Sequence, residues 1–340
     1  MQLARGSGAS VRAQSRGSWP IAVAAAALVT VLVPVLILLI SDDGGATFIG
    51  STLPFVRALV HLTTLTAVAL LCVGVLLPAP SEELSAEELS AEAQRLGRQG
   101  CAAAVIAALA CVLLLFWTYF DVIGSGPFQG ADLSDLGAFL NELASGRALV
   151  AQVSLLILGA VFAYLARTAV PLRMALVLVI AGTTTMGLGG HSASESGHGA
   201  AMFSMTGHIG AASLWVGGLA GLGWLAHAHP NLLRPTVARF SRLALTCAAV
   251  VGVSGVVSAV VRVESLALLP GSLYGAVLLA KTMAFIGLIV FGVLHRRRLL
   301  AQDSFTARTF LQLAAGEVLI MGVAYGLAVA LVRLDPPVLL

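Results

Sequence analysis

Charge is what this sequence has least of. Only 10% of its 340 residues are Asp, Glu, Lys or Arg, against 59% hydrophobic, whereas soluble domains run at roughly a quarter charged. No water-soluble core could hide that much apolar surface. Cysteine is scarce too: Cys72, Cys101, Cys111 and Cys247 all fall in or beside apolar runs, without a C-x-x-C pair or a zinc-like spacing. They read as small buried hydrophobes. No G-x-x-x-x-G-K-[ST] phosphate loop is present, and no stretch of soluble sequence is left for a nucleotide-binding or aspartyl-phosphate module, so ATP-driven export is not expected. The 19 basic residues stand against 16 acidic ones in small clusters without interleaved aromatics, which argues against nucleic acid as a partner.

What is there is a series of long apolar runs. At about 20 apolar residues per crossing, the runs at 20–40, 53–77, 101–120, 147–166, 170–190, 202–226, 237–261, 272–295 and 310–332 predict an all-α polytopic transmembrane helix bundle of about nine spans. The first run is too long for a signal-peptide core and no small-residue cleavage site follows it, so it reads as an uncleaved span. Cytoplasmic loops should collect the basic residues. With the N-terminus inside, fourteen of the nineteen do lie on that side: Arg5, Arg12, Arg16, Arg95, Arg98, Arg167, Arg173, Arg234, Arg239, Arg242, Arg296, Arg297, Arg298 and Arg308. The expected C-terminus is therefore outside, and the expected location is the cytoplasmic membrane among lipid.

The layout predicted is a cytoplasmic tail at 1–19, N-terminal membrane helices at 20–180, and a second membrane region at 181–335. Within the first, the charged loop 78–100 carries a capping box, Ser85 with Glu88, and suits a polar surface helix serving as a solvated connector. The outer segment 132–145 puts Leu133, Leu136, Leu140 and Leu143 on one face, with Gly146 as a stop, and suits an interfacial helix.

Ionisable groups inside a membrane are costly, so each is a candidate site unless a partner explains it. Of seven histidines, His191 and His198 flank the outer loop GGHSASESGH, His208 lies about two turns into the following span, and His61 is at similar depth in the second span. Met186, Met202 and Met205 share the neighbourhood of the first three. Thioether with imidazole is the ligand set that suits Cu(I), and imidazole alone holds Cu(II). Glu195 is the only carboxylate in that loop, which argues against calcium or magnesium. The bland alternative is a connector loop and space-filling methionines. His227, His229 and His295 sit among cytoplasmic arginines at helix ends, where they can face headgroups or cap carbonyls. Lys281 and Glu317 suit a structural ion pair between the last two spans. The glycine-rich stretches, including GVSG at 252–255, suit close helix packing.

The succession GHSASESGH, TGHIGAASLWVGGLAGL, RFSRLAL, VSGVVSAVVRVESL, SLYGAVLLAKTMAF and GVLHRRRL resembles the membrane region of the CopD family of copper-resistance and copper-import proteins. The likeness extends to the CopD-like half of actinobacterial fusions whose other half is similar to CtaG-type cytochrome oxidase assembly factors. That second half is not expected here. The resemblance implies copper handling at or across the membrane, with His191 in the GH and His208 in the TGH matching the family pattern. His198, Met202 and Met205 complete the candidate set of metal ligands, with His61 added on depth.

The expectation is a non-enzymatic copper-binding permease or accessory protein, with copper as its ion and a periplasmic copper chaperone or a CtaG-type factor as possible partners. Two rivals stay open. Histidines on neighbouring helices, such as His61 and His208, could hold haem b axially in a redox protein, or the chain could be a structural subunit of a respiratory complex.

Overall fold

The computed structural model of the chain describes residues 19, 21–30, 32–33, 48–82, 84–124, 126, 133–185, 198–262, 267, 269–301, 306–331 and 334, with backbone alone at 133, 198–201, 262 and 298–301. Among them there are ten helices and no strand: α1 Ile21–Thr30, α2 Phe48–Leu76, α3 Ala86–Ile123, α4 Leu133–Glu142, α5 Ala144–Tyr164, α6 Ala169–Thr184, α7 His198–Ala228, α8 Pro230–Arg262, α9 Leu273–Ala301 and α10 Ala307–Leu331. Helix is what a bilayer imposes, because it satisfies the backbone within one segment. Seven of the ten, α2, α3, α5, α7, α8, α9 and α10, are long and apolar enough to cross a membrane. The chain is a multi-pass membrane protein, all-helical in its described elements. The runs expected to span at 20–40 and 170–190 contain the shorter helices α1 and α6, and residues 34–40 and 186–190 lie outside the described residues.

The capping box forms as its spacing predicts. Glu88 N–H donates to Ser85 Oγ at 3.2 Å and Ser85 N–H donates to Glu88 Oε2 at 3.2 Å. The helix it opens is not a separate surface helix. α3 continues through 38 residues, about 57 Å, so the charged segment is the first stretch of a membrane helix about twice as long as the hydrocarbon core is thick. Nor is it merely solvated: Leu89 and Leu96 are buried, and buried Glu92 reaches Arg95 at 3.7 Å.

The helices group into two compact units. One comprises Asp42–Gly221 and Arg242–Glu264. Its core gathers Leu53, Val60 and Leu71 of α2, Ala104, Cys111 and Leu114 of α3, Leu156 of α5, and Leu172 and Val179 of α6. Close approach is set by small residues, as expected where lipid is as apolar as leucine. A Cβ on Gly221 of α7 would run into the Ala69 backbone carbonyl, and one on Gly217 would lie 2.7 Å from Val68 Cγ1. Threonines settle their hydroxyls on the preceding turn, as Thr64 does on Val60 O at 2.6 Å and Thr118 on Leu114 O at 2.8 Å.

The predicted amphipathic segment is α4, and its apolar face packs on the core while Ser134, Asp135, Asn141 and Glu142 are exposed. Phe139 is 2% exposed against the edge of Tyr119, with ring centroids 5.7 Å apart, and Leu136, Leu140 and Leu143 lean on the core. Gly146 is not its stop. The break comes at Leu143, whose extended backbone caps α5, and Gly146 lies in the first turn of α5, where the Phe139 carbonyl occupies the space a Cβ would need. Arg147 Nη1 then donates to the Asn141 and Glu142 carbonyls, both at 3.0 Å, covering the open end of α4.

The other unit comprises Met1–Ser41, Leu222–Ser241 and Ser265–Leu340. In it, Thr30 Oγ1 of α1 donates to its own Ala26 carbonyl at 2.8 Å and reaches the Gly322 carbonyl of α10 at 3.4 Å. Gly322 is small enough to take the Ala26 backbone against it, and Gly223 lies under the Trp19 indole. α9 and α10 form an antiparallel pair joined by a buried polar contact, His295 with Glu317.

Candidate metal site

His208 stands ten residues into α7, half-buried, and its Nδ1 lies 2.9 Å from Ser254 Oγ on α8. The hydroxyl has one proton, and the Val250 carbonyl one turn back lies 2.5 Å from its oxygen. With its proton on a carbonyl of its own helix, Val250 or Val251 at 3.2 Å, Ser254 Oγ is placed to accept from Nδ1–H, the tautomer that puts the ring's lone pair on Nε2. One turn before His208, Ser204 Oγ donates to the Ser254 backbone carbonyl at 3.1 Å. Two side chains of α7 thus grip one residue of α8. A histidine whose second nitrogen is fixed by a hydrogen bond is how proteins orient an imidazole ligand.

The remaining candidates are distributed unevenly. Met205, three residues before His208 on α7, is its neighbour on the helix surface and is half-buried, whereas Met202, six residues before it, is turned about 120° away and exposed. His198 is the first residue of α7, described by its backbone. His191, Met186 and Glu195 lie outside the described residues. His61 is half-buried in the middle of α2. Among the described residues, no three or more of His, Cys, Asp and Glu come together as a metal cluster. All four cysteines are free, and Cys72, Cys111 and Cys247 are buried, as their apolar surroundings predict.

Sequence reasoning missed Ser254. GVSG at 252–255 was legible as packing, and the polar member of that run is the one that holds the histidine. It also misplaced His295. This residue is 6% exposed, and its Nδ1 lies 2.6 Å from Glu317 Oε1. Glu317 therefore pairs with His295 rather than with Lys281. His227 donates Nδ1–H to the Gly223 carbonyl at 3.2 Å, on its own helix, while His229 begins the turn into α8 with its N–H on the Leu225 carbonyl. The carbonyl-capping role expected of these histidines is met by the His227 ring and fails for buried His295.

Two family models match the chain: copper resistance protein D-like, N-terminal domain, over residues 49–202, and copper resistance protein D over residues 234–331. The first reaches His191, His198 and Met202 at its end; Met205 and His208 fall between the two. Among curated proteins, copper transport protein CutJ of Bacillus subtilis (strain 168) is 36% identical over 93 residues, which cover 26% of this chain and 17% of that protein. The chain thus matches about a sixth of that relative's length. No solved structure matches. An all-helical membrane bundle matched by both domains of one copper-resistance family is not anonymous: the chain belongs to the copper resistance protein D (CopD) family.

Proposed function

We propose that the protein is a non-enzymatic carrier that takes copper from the outer side of the cytoplasmic membrane and passes it inward. The ligands in this reading are His191, His198 and His208, helped by Met202 and Met205, with His61 deeper in the path. The observation that carries it is the His208–Ser254 contact, which directs a lone pair onto Nε2 within a helix that also bears two thioethers. Imidazole and thioether together favour copper over zinc, calcium or magnesium. Membership of a copper-resistance family agrees with that chemistry. The orientation in this reading is N-terminus inside with nine crossings, as the distribution of arginine favours. A periplasmic chaperone delivering copper, and a CtaG-type oxidase assembly factor receiving it, are the partners that fit an inward route.

The test is copper accumulation by cells that depend on this protein for uptake, comparing wild type with His208→Ala and with the triple variant His191→Ala, His198→Ala, His208→Ala. The single change is expected to cut uptake severely and the triple to abolish it. Uptake unaffected in the triple variant would refute the ligand assignment.

A further inference from the structure

The unit containing Leu222–Ser241 and Ser265–Leu340 holds three histidines that the proposed uptake site does not use, His227, His229 and His295, and two of them share a feature. His295 gives Nδ1 to Glu317 and His227 gives Nδ1 to the Gly223 carbonyl. In both rings Nε2 is buried and has no hydrogen-bond partner among the described residues. A buried polar atom left without a partner is uncommon and calls for an explanation. A carboxylate–imidazole pair inside a membrane helix calls for one more strongly.

We infer that His295 is a copper ligand through Nε2, at a second station between α9 and α10, with Glu317 positioning its ring. This rests on copper being the cargo. Imidazole ligands to metals almost always give their other N–H to a carboxylate or a backbone carbonyl. His295 with Glu317, and His227 with Gly223, are these two arrangements. A tie between α9 and α10 alone would need only the Nδ1 contact, and would not require the opposite edge of the ring to be sealed from water without a partner. The surroundings are soft: Phe310 lies 5.4 Å from the His295 ring, and Met321, one turn beyond Glu317 on α10, is 4% exposed. Cu(I) is content with few ligands, and imidazole or thioether suits it. His227 shows the same ring arrangement on α7, nineteen residues beyond His208.

The experiment uses the full chain in lipid nanodiscs, dialysed against Cu(I) under reducing conditions, in four forms: wild type, the triple variant His191→Ala, His198→Ala, His208→Ala, and the triple variant with either His295→Gln or Glu317→Gln added. The expected result is that the triple variant keeps part of the copper, that His295→Gln removes this remainder, and that Glu317→Gln weakens it by about 10–100-fold. Glu317→Gln retains a hydrogen-bonding side chain, so the test stands even where His295→Gln lowers stability. A triple variant that binds none, beside a wild type that binds copper, would overturn the second station and leave the first intact. Copper retained undiminished after His295→Gln would also overturn it. A wild type that binds no copper would overturn both readings.

Discussion

His208 Nδ1 and Ser254 Oγ meet at 2.9 Å between α7 and α8, and the serine has a carbonyl of its own helix, Val250 or Val251, to take its proton. The serine is thus placed as an acceptor that fixes which nitrogen of the imidazole bears the lone pair. Ser254→Ala removes that acceptor while changing little volume. Copper affinity, measured by competition with a chromophoric Cu(I) chelator, is expected to fall by about 10–100-fold, with the folded protein otherwise intact. Unchanged affinity would show that Ser254 serves packing alone.

The buried pair of α9 and α10 makes a second, energetic prediction. Removing one member leaves the other buried without its partner, a loss of about 3–5 kcal/mol. Glu317→Ala is therefore expected to lower the thermal midpoint in detergent markedly, and His295→Leu with Glu317→Leu to lower it less than either single change. Additive losses in the double variant would contradict the pairing.

Helix contact in the first unit depends on Gly221. A valine there meets the Ala69 backbone and Val73 of α2, and overpacking of this kind costs about 1–3 kcal/mol. Gly217→Ala meets Val68 Cγ1 at 2.7 Å and the Ala69 backbone N at 3.3 Å, a milder clash than the carbonyl at Gly221, so its effect on the thermal midpoint is expected to be the smaller of the two.

The N-terminus of α3 offers a change remote from copper. Ser85→Ala abolishes the capping box and is expected to cost about 1 kcal/mol. Faster hydrogen exchange should appear at Glu87, Glu88 and Leu89, while copper affinity stays as in wild type.

Local signals were legible in the sequence and tertiary ones were not. Ser85 and Glu88 announce a cap because both partners lie within one turn, and the long apolar runs announce helices because a bilayer allows little else. Where α3 begins its membrane crossing is not encoded locally, since nothing in 86–100 breaks the helix, and polar loop and span are one rod. Gly146 looks like a helix stop by residue type, yet its small size serves the Phe139 carbonyl of the preceding helix. Glu317 could be assigned to Lys281 or His295 only once the register of α9 against α10 was known. Ser254 was hidden for the same reason: forty-six residues separate it from His208. The candidate ligands were found by residue type and by family resemblance, and what the fold adds is the partner that orients one of them.

The central claim is that histidines at the N-terminal end of α7 and in the segment before it bind copper. Its most direct test is the copper content and visible spectrum of the purified protein, wild type beside the variant with His191, His198 and His208 changed to Ala. The account predicts bound copper in the wild type, a substantial part of it lost in the variant, and no haem absorption in either. Equal copper in both, or a haem spectrum in the wild type, would contradict it.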